Sequence, residues 1–172
     1  MMLSLDKKSV KRIKIDYTQY EWLKKAALTH LGITNLNHLR DMFEGQEYFN
    51  KFLTRSYGEF AVEKFLNKRI IDLEKKRTNK NYTASFSING KKIALFSFSL
   101  GEFPKIAKKD FDIGIFILVN LDSRTAEIIG FLNFDSIVQL VDYKCLSPLE
   151  GKHNFGVFKT FDHLLSINEL SL

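Results

Sequence analysis

The sequence predicts an α/β fold in which helices pack on a mixed sheet, and three observations predict it. Apolar residues recur every three to five positions through residues 14–73, as they do on the buried face of a helix. Later in the chain apolar and polar residues alternate, and Asn89-Gly90 is typical of a tight hairpin turn. Residues 113–121 form a nearly unbroken apolar run, which favours a strand covered on both faces.

The predicted helices cover the first half of the chain. The first spans residues 14–31 and the second spans residues 35–52. The third begins near Ser56, because Ser56 and Glu59 have the spacing of a capping box. Its apolar stripe continues to residue 73 and gives way to a polar run rich in cations, which suits the negative end of the helix dipole.

The second half is predicted to supply four to five strands. Its elements are a hairpin of strands 84–88 and 93–100, a strand at 113–121, an antiparallel strand at 126–131, a short helix at 134–141 and a final helix or turn at 160–170. Helices packed on such a sheet are a common layered α/β arrangement. No linker-like or repetitive segment interrupts the 172 residues, so residues 1–172 are predicted to form a single domain.

Composition limits the class of protein further. The chain has one cysteine, Cys145, so it is predicted to have neither an intrachain disulfide nor a multi-cysteine zinc site. Residues 1–15 lack the apolar core of a signal peptide, and the longest apolar stretch, residues 113–119, is too short to span a bilayer. We therefore expect a cytoplasmic protein without a membrane partner. The net charge of +6 and pI of about 9.3 favour anionic partners.

Three segments follow one another in a recognisable order. They are a helix with Gly58-Glu59 at residues 56–66, the hairpin at residues 85–97, and the strand pair 112–119 and 128–132. Over residues 56–140 this order resembles the PD-(D/E)xK nucleases of the restriction-endonuclease-like superfamily. The resemblance implies a nuclease-like α/β core at residues 56–172, preceded by a helical extension at residues 1–55.

A nuclease of this kind needs carboxylates that hold a divalent metal ion and a lysine that stabilises developing charge. The resemblance places its helix glutamate at Glu59, its hairpin aspartate near Ser85 and its Asp/Glu-x-Lys motif at Ala94-Leu95-Phe96. No acidic residue lies between positions 84 and 100. The active site is thus expected to be degenerate, without metal or cofactor, with Ser85, Ala94 and Phe96 around Glu59.

A relocated metal site is the alternative. In it, Glu59, Glu102 and Asp112 converge beside Lys91 or Lys92 and hold Mg²⁺, with Glu59 and Asp112 as the main ligands. The simpler interpretation gives Glu59 a capping-box role and makes Glu102 a solvated loop residue. It makes Asp112 either a strand-edge residue or one that anchors a loop by hydrogen bonds.

Basic residues supply the candidate nucleic-acid surface. The candidates are Lys68, Arg69, Lys75, Lys76, Arg77, Lys91, Lys92, Lys108 and Lys109, with Lys80 and Lys105 nearby. On one face they would bind phosphates without reading sequence. A further basic group near the N-terminus is predicted to be a frayed, solvated terminus rather than a DNA-binding arm: Lys7, Lys8, Lys11, Arg12 and Lys14. Trp22 is predicted to lie in the core rather than to stack on bases.

Three functional hypotheses follow. The first is a non-catalytic protein of nuclease-like fold that binds DNA, a protein partner or a second copy of itself. The second is an active Mg²⁺-dependent deoxyribonuclease with relocated carboxylates. The third is an unrelated α/β interaction protein.

Overall fold

The computed structural model describes residues 10–170, in which four helices follow a first short strand and five strands come after these helices. The helices are α1 (Tyr17–His30), α2 (Leu36–Leu39), α3 (Phe43–Leu66), α4 (Leu73–Thr78), α5 (Phe134–Leu140) and α6 (Pro148–His153). The strands are β1 (Lys11–Lys14), β2 (Phe86–Ile88), β3 (Lys91–Ser99), β4 (Lys105–Ala107), β5 (Ile113–Asn120), β6 (Thr125–Asn133) and β7 (Asn154–Val157). Short 3₁₀ helices lie at Tyr143–Cys145, Phe161–His163 and Ile167–Glu169.

Five strands form one mixed sheet in the order β1-β6-β5-β3-β2, and β4 pairs with β7 in a second sheet. Strands β3 and β5 run parallel, while the other neighbours in the large sheet are antiparallel. The predicted mixed α/β class is therefore confirmed. The Asn89-Gly90 hairpin is confirmed as well, since both residues have positive φ, 48° and 76°, as a type I′ turn requires.

The large sheet is covered on both faces. Ile93 of β3 and Ile115 of β5 pack in one core with α3, because side chains alternate between the faces of a strand. Ala94, Phe96 and Phe98 of β3 point to the other face and join a second core rich in phenylalanine. The continuous apolar run of β5 is explained by this double coverage.

Helix α3 corrects the prediction that a helix starts near Ser56. Residues 43–66 form one helix, so Ser56 is not a helix start; it is buried, and its hydroxyl donates to the carbonyl oxygen of Phe52 at 2.6 Å. The apolar face simply continues through Tyr57, and packing of that face overrides the local capping signature. The predicted boundary between extension and core at residues 55 and 56 lies inside this helix. Within residues 10–170 no helix, α3 included, is both long and apolar enough to cross a bilayer.

The prediction of a frayed N-terminus is wrong for the basic residues that the structure describes. Lys11–Lys14 form β1, which pairs antiparallel with β6 and so belongs to the sheet instead of fraying. Ile15, only 1% exposed, anchors the end of this strand in the first core. Lys7 and Lys8 lie outside the described residues.

Candidate nucleic-acid interface

Glu59 lies in the buried part of α3 and is 2% exposed. One carboxylate oxygen accepts a hydrogen bond from the Lys76 ammonium, and the other accepts the backbone N–H of Ala84 at 3.1 Å. The predicted capping role of Glu59 is therefore wrong. The carboxylate instead ties α4 and the segment before β2 to α3.

Lys76 is the partner of Glu59 and is fully buried. Its ammonium lies 5.2 Å from the ring centroid of Phe52 and 5.7 Å from that of Tyr82. Burial lowers the pKa of Lys76, and the negative charge of Glu59 opposes this shift. The prediction that Lys76 binds phosphate is therefore wrong, because its ammonium group does not reach the surface.

The carboxylates proposed for a relocated metal site have other partners or none nearby. Asp112 accepts the backbone N–H of Lys92 at 2.7 Å and donates its own backbone N–H to the Lys92 carbonyl at 2.9 Å, so it anchors a loop. Glu102 is an exposed loop residue. Among residues 10–170 no three histidine, cysteine or acidic side chains are arranged to hold a metal ion.

The residues at the expected Asp/Glu-x-Lys position on β3 do not surround Glu59. Ala94 and Phe96 lie in the second core, on the sheet face away from α3, rather than around Glu59. On the α3 side of β3 stand serines instead. A β-carbon on Gly58 would clash with the hydroxyl of Ser97, and the hydroxyls of Thr54 and Ser99 lie 3.3 Å apart.

Several of the predicted phosphate-binding cations have partners within the protein. Lys75, Arg77 and Lys92 form ion pairs with Asp72, Glu74 and Asp110 respectively. The ammonium of Lys108 donates to the carbonyl of Gly151 at 2.8 Å. These local partners reduce the charge available to an external phosphate.

Lys91 and Lys109 line a depression on the protein surface. Three acidic residues also line it: Asp110, Asp112 and Asp135. The Lys109 ammonium lies 5.6 Å from the ring centroid of Phe96, and burial lowers its pKa. Because acids and cations are mixed here, this depression is a poorer phosphate site than one lined mainly by cations.

Lys68 and Arg69 belong to a different feature, which we term the α1–α3 groove. It lies between the first turns of α1 and the end of α3 and has a volume of about 680 Å³. Its apolar lining is formed by Trp22, Phe60 and Leu73.

Three cations lie along the groove, and one was missed by the sequence analysis. Lys64, Lys68 and Arg69 are exposed, and within residues 10–170 none of them forms an ion pair with a carboxylate. The missed residue, Lys64, lies in the last turn of α3, and Lys68 follows the left-handed residue Asn67 that ends the helix.

The backbone that carries Lys68 and Arg69 is held in place. Asn67 ends α3 in the left-handed conformation, with φ of 49°. Beyond the turn, the carboxylate of Glu63 accepts the backbone N–H groups of Ile70 at 2.9 Å and Ile71 at 3.0 Å. These bonds occupy one oxygen of the Glu63 carboxylate and fix the segment on which the two cations lie.

Trp22 contacts both the core and the groove. Its half-buried side chain packs against the first core, as predicted, but it also lines the α1–α3 groove. Nearby, the side-chain oxygen of Gln19 accepts the backbone N–H of Asp16 at 3.1 Å. The groove therefore combines a partly buried aromatic side chain with exposed cations.

Fold and site together define this chain as a mixed α/β domain with a basic groove beside a tryptophan. No protein-family model, curated protein or solved structure has a significant match to the chain.

Proposed function

We propose that the protein is a non-catalytic nucleic-acid-binding domain that holds DNA phosphates at the α1–α3 groove. The single observation that carries the proposal is the group of Lys64, Lys68 and Arg69, exposed beside a concave surface and without carboxylate partners within residues 10–170. Cations of this kind attract a polyanion and release its counterions on binding.

The non-catalytic part of the proposal is supported by the state of Glu59. Its charge is balanced by Lys76 inside the protein, and its second oxygen is occupied by the backbone N–H of Ala84. A carboxylate held in this way is a poor ligand for a metal ion that must also contact a phosphate. We further propose that the core is a diverged relative of the restriction-endonuclease-like proteins, on the order of its helix, hairpin and strand pair.

The proposal is tested by fluorescence anisotropy with a labelled DNA oligonucleotide at several salt concentrations. Wild-type affinity should fall with salt, with a logarithmic slope of roughly −2 to −3 for three phosphate contacts. The triple variant Lys64→Glu, Lys68→Glu, Arg69→Glu should lose binding by more than about tenfold, because repulsion replaces each attraction.

A matched control has the same change in net charge away from the groove: Arg40→Glu, Lys144→Glu, Lys152→Glu, all exposed positions. It should retain most of the affinity. Equal losses in both triple variants, or affinity that does not depend on salt, would overturn the proposed groove. Mg²⁺-dependent cleavage by the wild type that disappears in Glu59→Gln would instead support the nuclease hypothesis.

A further inference from the structure

We infer that the α1–α3 groove accepts an unpaired nucleotide of single-stranded nucleic acid, with the base against Trp22 and the adjoining phosphates on Lys64, Lys68 and Arg69. This inference rests on the proposed function and names the class of nucleic acid.

The shape of the groove favours a base over a phosphate alone. The groove is an open depression with a volume of about 680 Å³, which leaves room for a base. Phe60 and Leu73 continue the apolar surface of Trp22. A phosphate gains nothing from such a lining, whereas the flat face of a base gains by stacking on an aromatic ring.

The mobility of Trp22 is limited, which favours the same ligand. Its side chain is half buried against the first core, so little conformational entropy remains to be lost when a base stacks on it. In a duplex both faces of each base are covered by neighbouring bases, so only an unpaired base can use this ring without the cost of unstacking.

Cations outnumber acids among the charged residues that line the groove: Lys64, Lys68 and Arg69 against Asp16 and Glu63. One oxygen of the Glu63 carboxylate already accepts the backbone N–H groups of Ile70 and Ile71. The three cations are therefore the groups of this lining that attract the phosphates. The side chains of Thr18 and Asn67 provide hydrogen-bonding groups within the same groove.

The test uses Trp22 as its own reporter, because the chain has one tryptophan. Intrinsic fluorescence of the wild-type protein is followed while oligo(dT) or a DNA duplex of equal length is added. We expect quenching and at least tenfold tighter binding with oligo(dT). Trp22→Ala should lower the affinity for oligo(dT) by roughly tenfold, and Trp22→Phe should restore part of it.

The control for an aromatic residue outside the groove is Tyr17→Ala, since Tyr17 is 63% exposed on the same helix and is not among the groove-lining residues. It should bind oligo(dT) as the wild type does. If duplex and oligo(dT) bind equally and the fluorescence of Trp22 does not change, the inference is wrong while the proposed function stands. If neither DNA binds, both are wrong.

Discussion

Helix α3 carries charged residues in two contrasting environments. In its buried stretch, Glu59 is enclosed and paired with Lys76. Lys64, which follows in the last turn of the helix, is exposed and has no carboxylate partner within residues 10–170. In sequence these residues are only five positions apart. Their difference shows that the role of a charged residue here depends on which segment packs over it, and α4 covers only the first of the two positions.

The two environments also differ in energy. A buried ion pair must offset the loss of hydration of both charges, so the pair itself contributes little, but removing one partner leaves an uncompensated buried charge. An exposed, unpaired lysine has no such partner to lose, and its substitution changes stability by less than about 0.5 kcal/mol.

The largest effect is expected when the buried pair is broken. Lys76→Met should lower the free energy of unfolding by about 3–5 kcal/mol, because the buried carboxyl group of Glu59 loses its partner. Glu59→Leu should cost a similar amount, and the double variant should recover most of the loss. Urea unfolding of all three variants gives the coupling energy.

The same variants test whether the buried pair and the groove cations act independently. The double variant Glu59→Leu, Lys76→Met should bind DNA like the wild type, while the triple groove variant should unfold like the wild type. Purely additive losses in the double variant would show that the pair is not coupled. Loss of DNA binding in a folded double variant would show that the two ends of α3 are not independent.

A second effect concerns the close approach of α3 to β3. A β-carbon added at Gly58 would clash with the side chain of Ser97, so Gly58→Ala should cost about 1–3 kcal/mol despite its better helix propensity. Adding Ser97→Gly should recover part of that loss. Gly151→Ala in α6 is the control, since its β-carbon would meet open space. Thermal unfolding midpoints rank the four proteins, and equal losses for Gly58→Ala and Gly151→Ala would contradict the close packing.

The sequence predicts elements that depend on local signals. The hairpin at Asn89-Gly90 is encoded by the turn residues themselves, and β5 by its apolar run. The start of α3 is not predictable in this way, because Ser56 and Glu59 match a capping box that tertiary packing overrides. Strand β1 is missed for a related reason: a short charged segment becomes a strand only because β6 offers it an edge.

The candidate site is less predictable than the fold. Glu59 and Lys76 are separated by 17 residues, and Lys76 stands in a run of cations in which nothing local distinguishes the buried one. Trp22 lines the same groove as Lys64 and Arg69 because α1 packs beside α3. Helical spacing does not relate Lys64 to Lys68, because α3 ends between them.

The smallest effect expected in the buried stretch of α3 depends on pH. Tyr57 is fully buried, and burial raises its pKa from 10.0 to about 12, with a further rise from Tyr20 and an opposing effect of Arg124. Between pH 10 and 12 the folded protein therefore holds a proton that the unfolded chain has lost. This contribution to stability is complete below pH 10 and is lost as pH rises towards 12.

Tyr57→Phe removes that titration. Its hydroxyl has no hydrogen-bond partner among residues 10–170, so the substitution should change stability little at pH 8. At pH 11 the variant should be more stable than the wild type by about 1 kcal/mol, relative to their difference at pH 8. Tyr143→Phe is the control, because Tyr143 is 69% exposed and lies outside α3. Urea unfolding at both pH values measures the difference. Parallel curves for all three proteins would show that Tyr57 is more accessible to water than its burial implies.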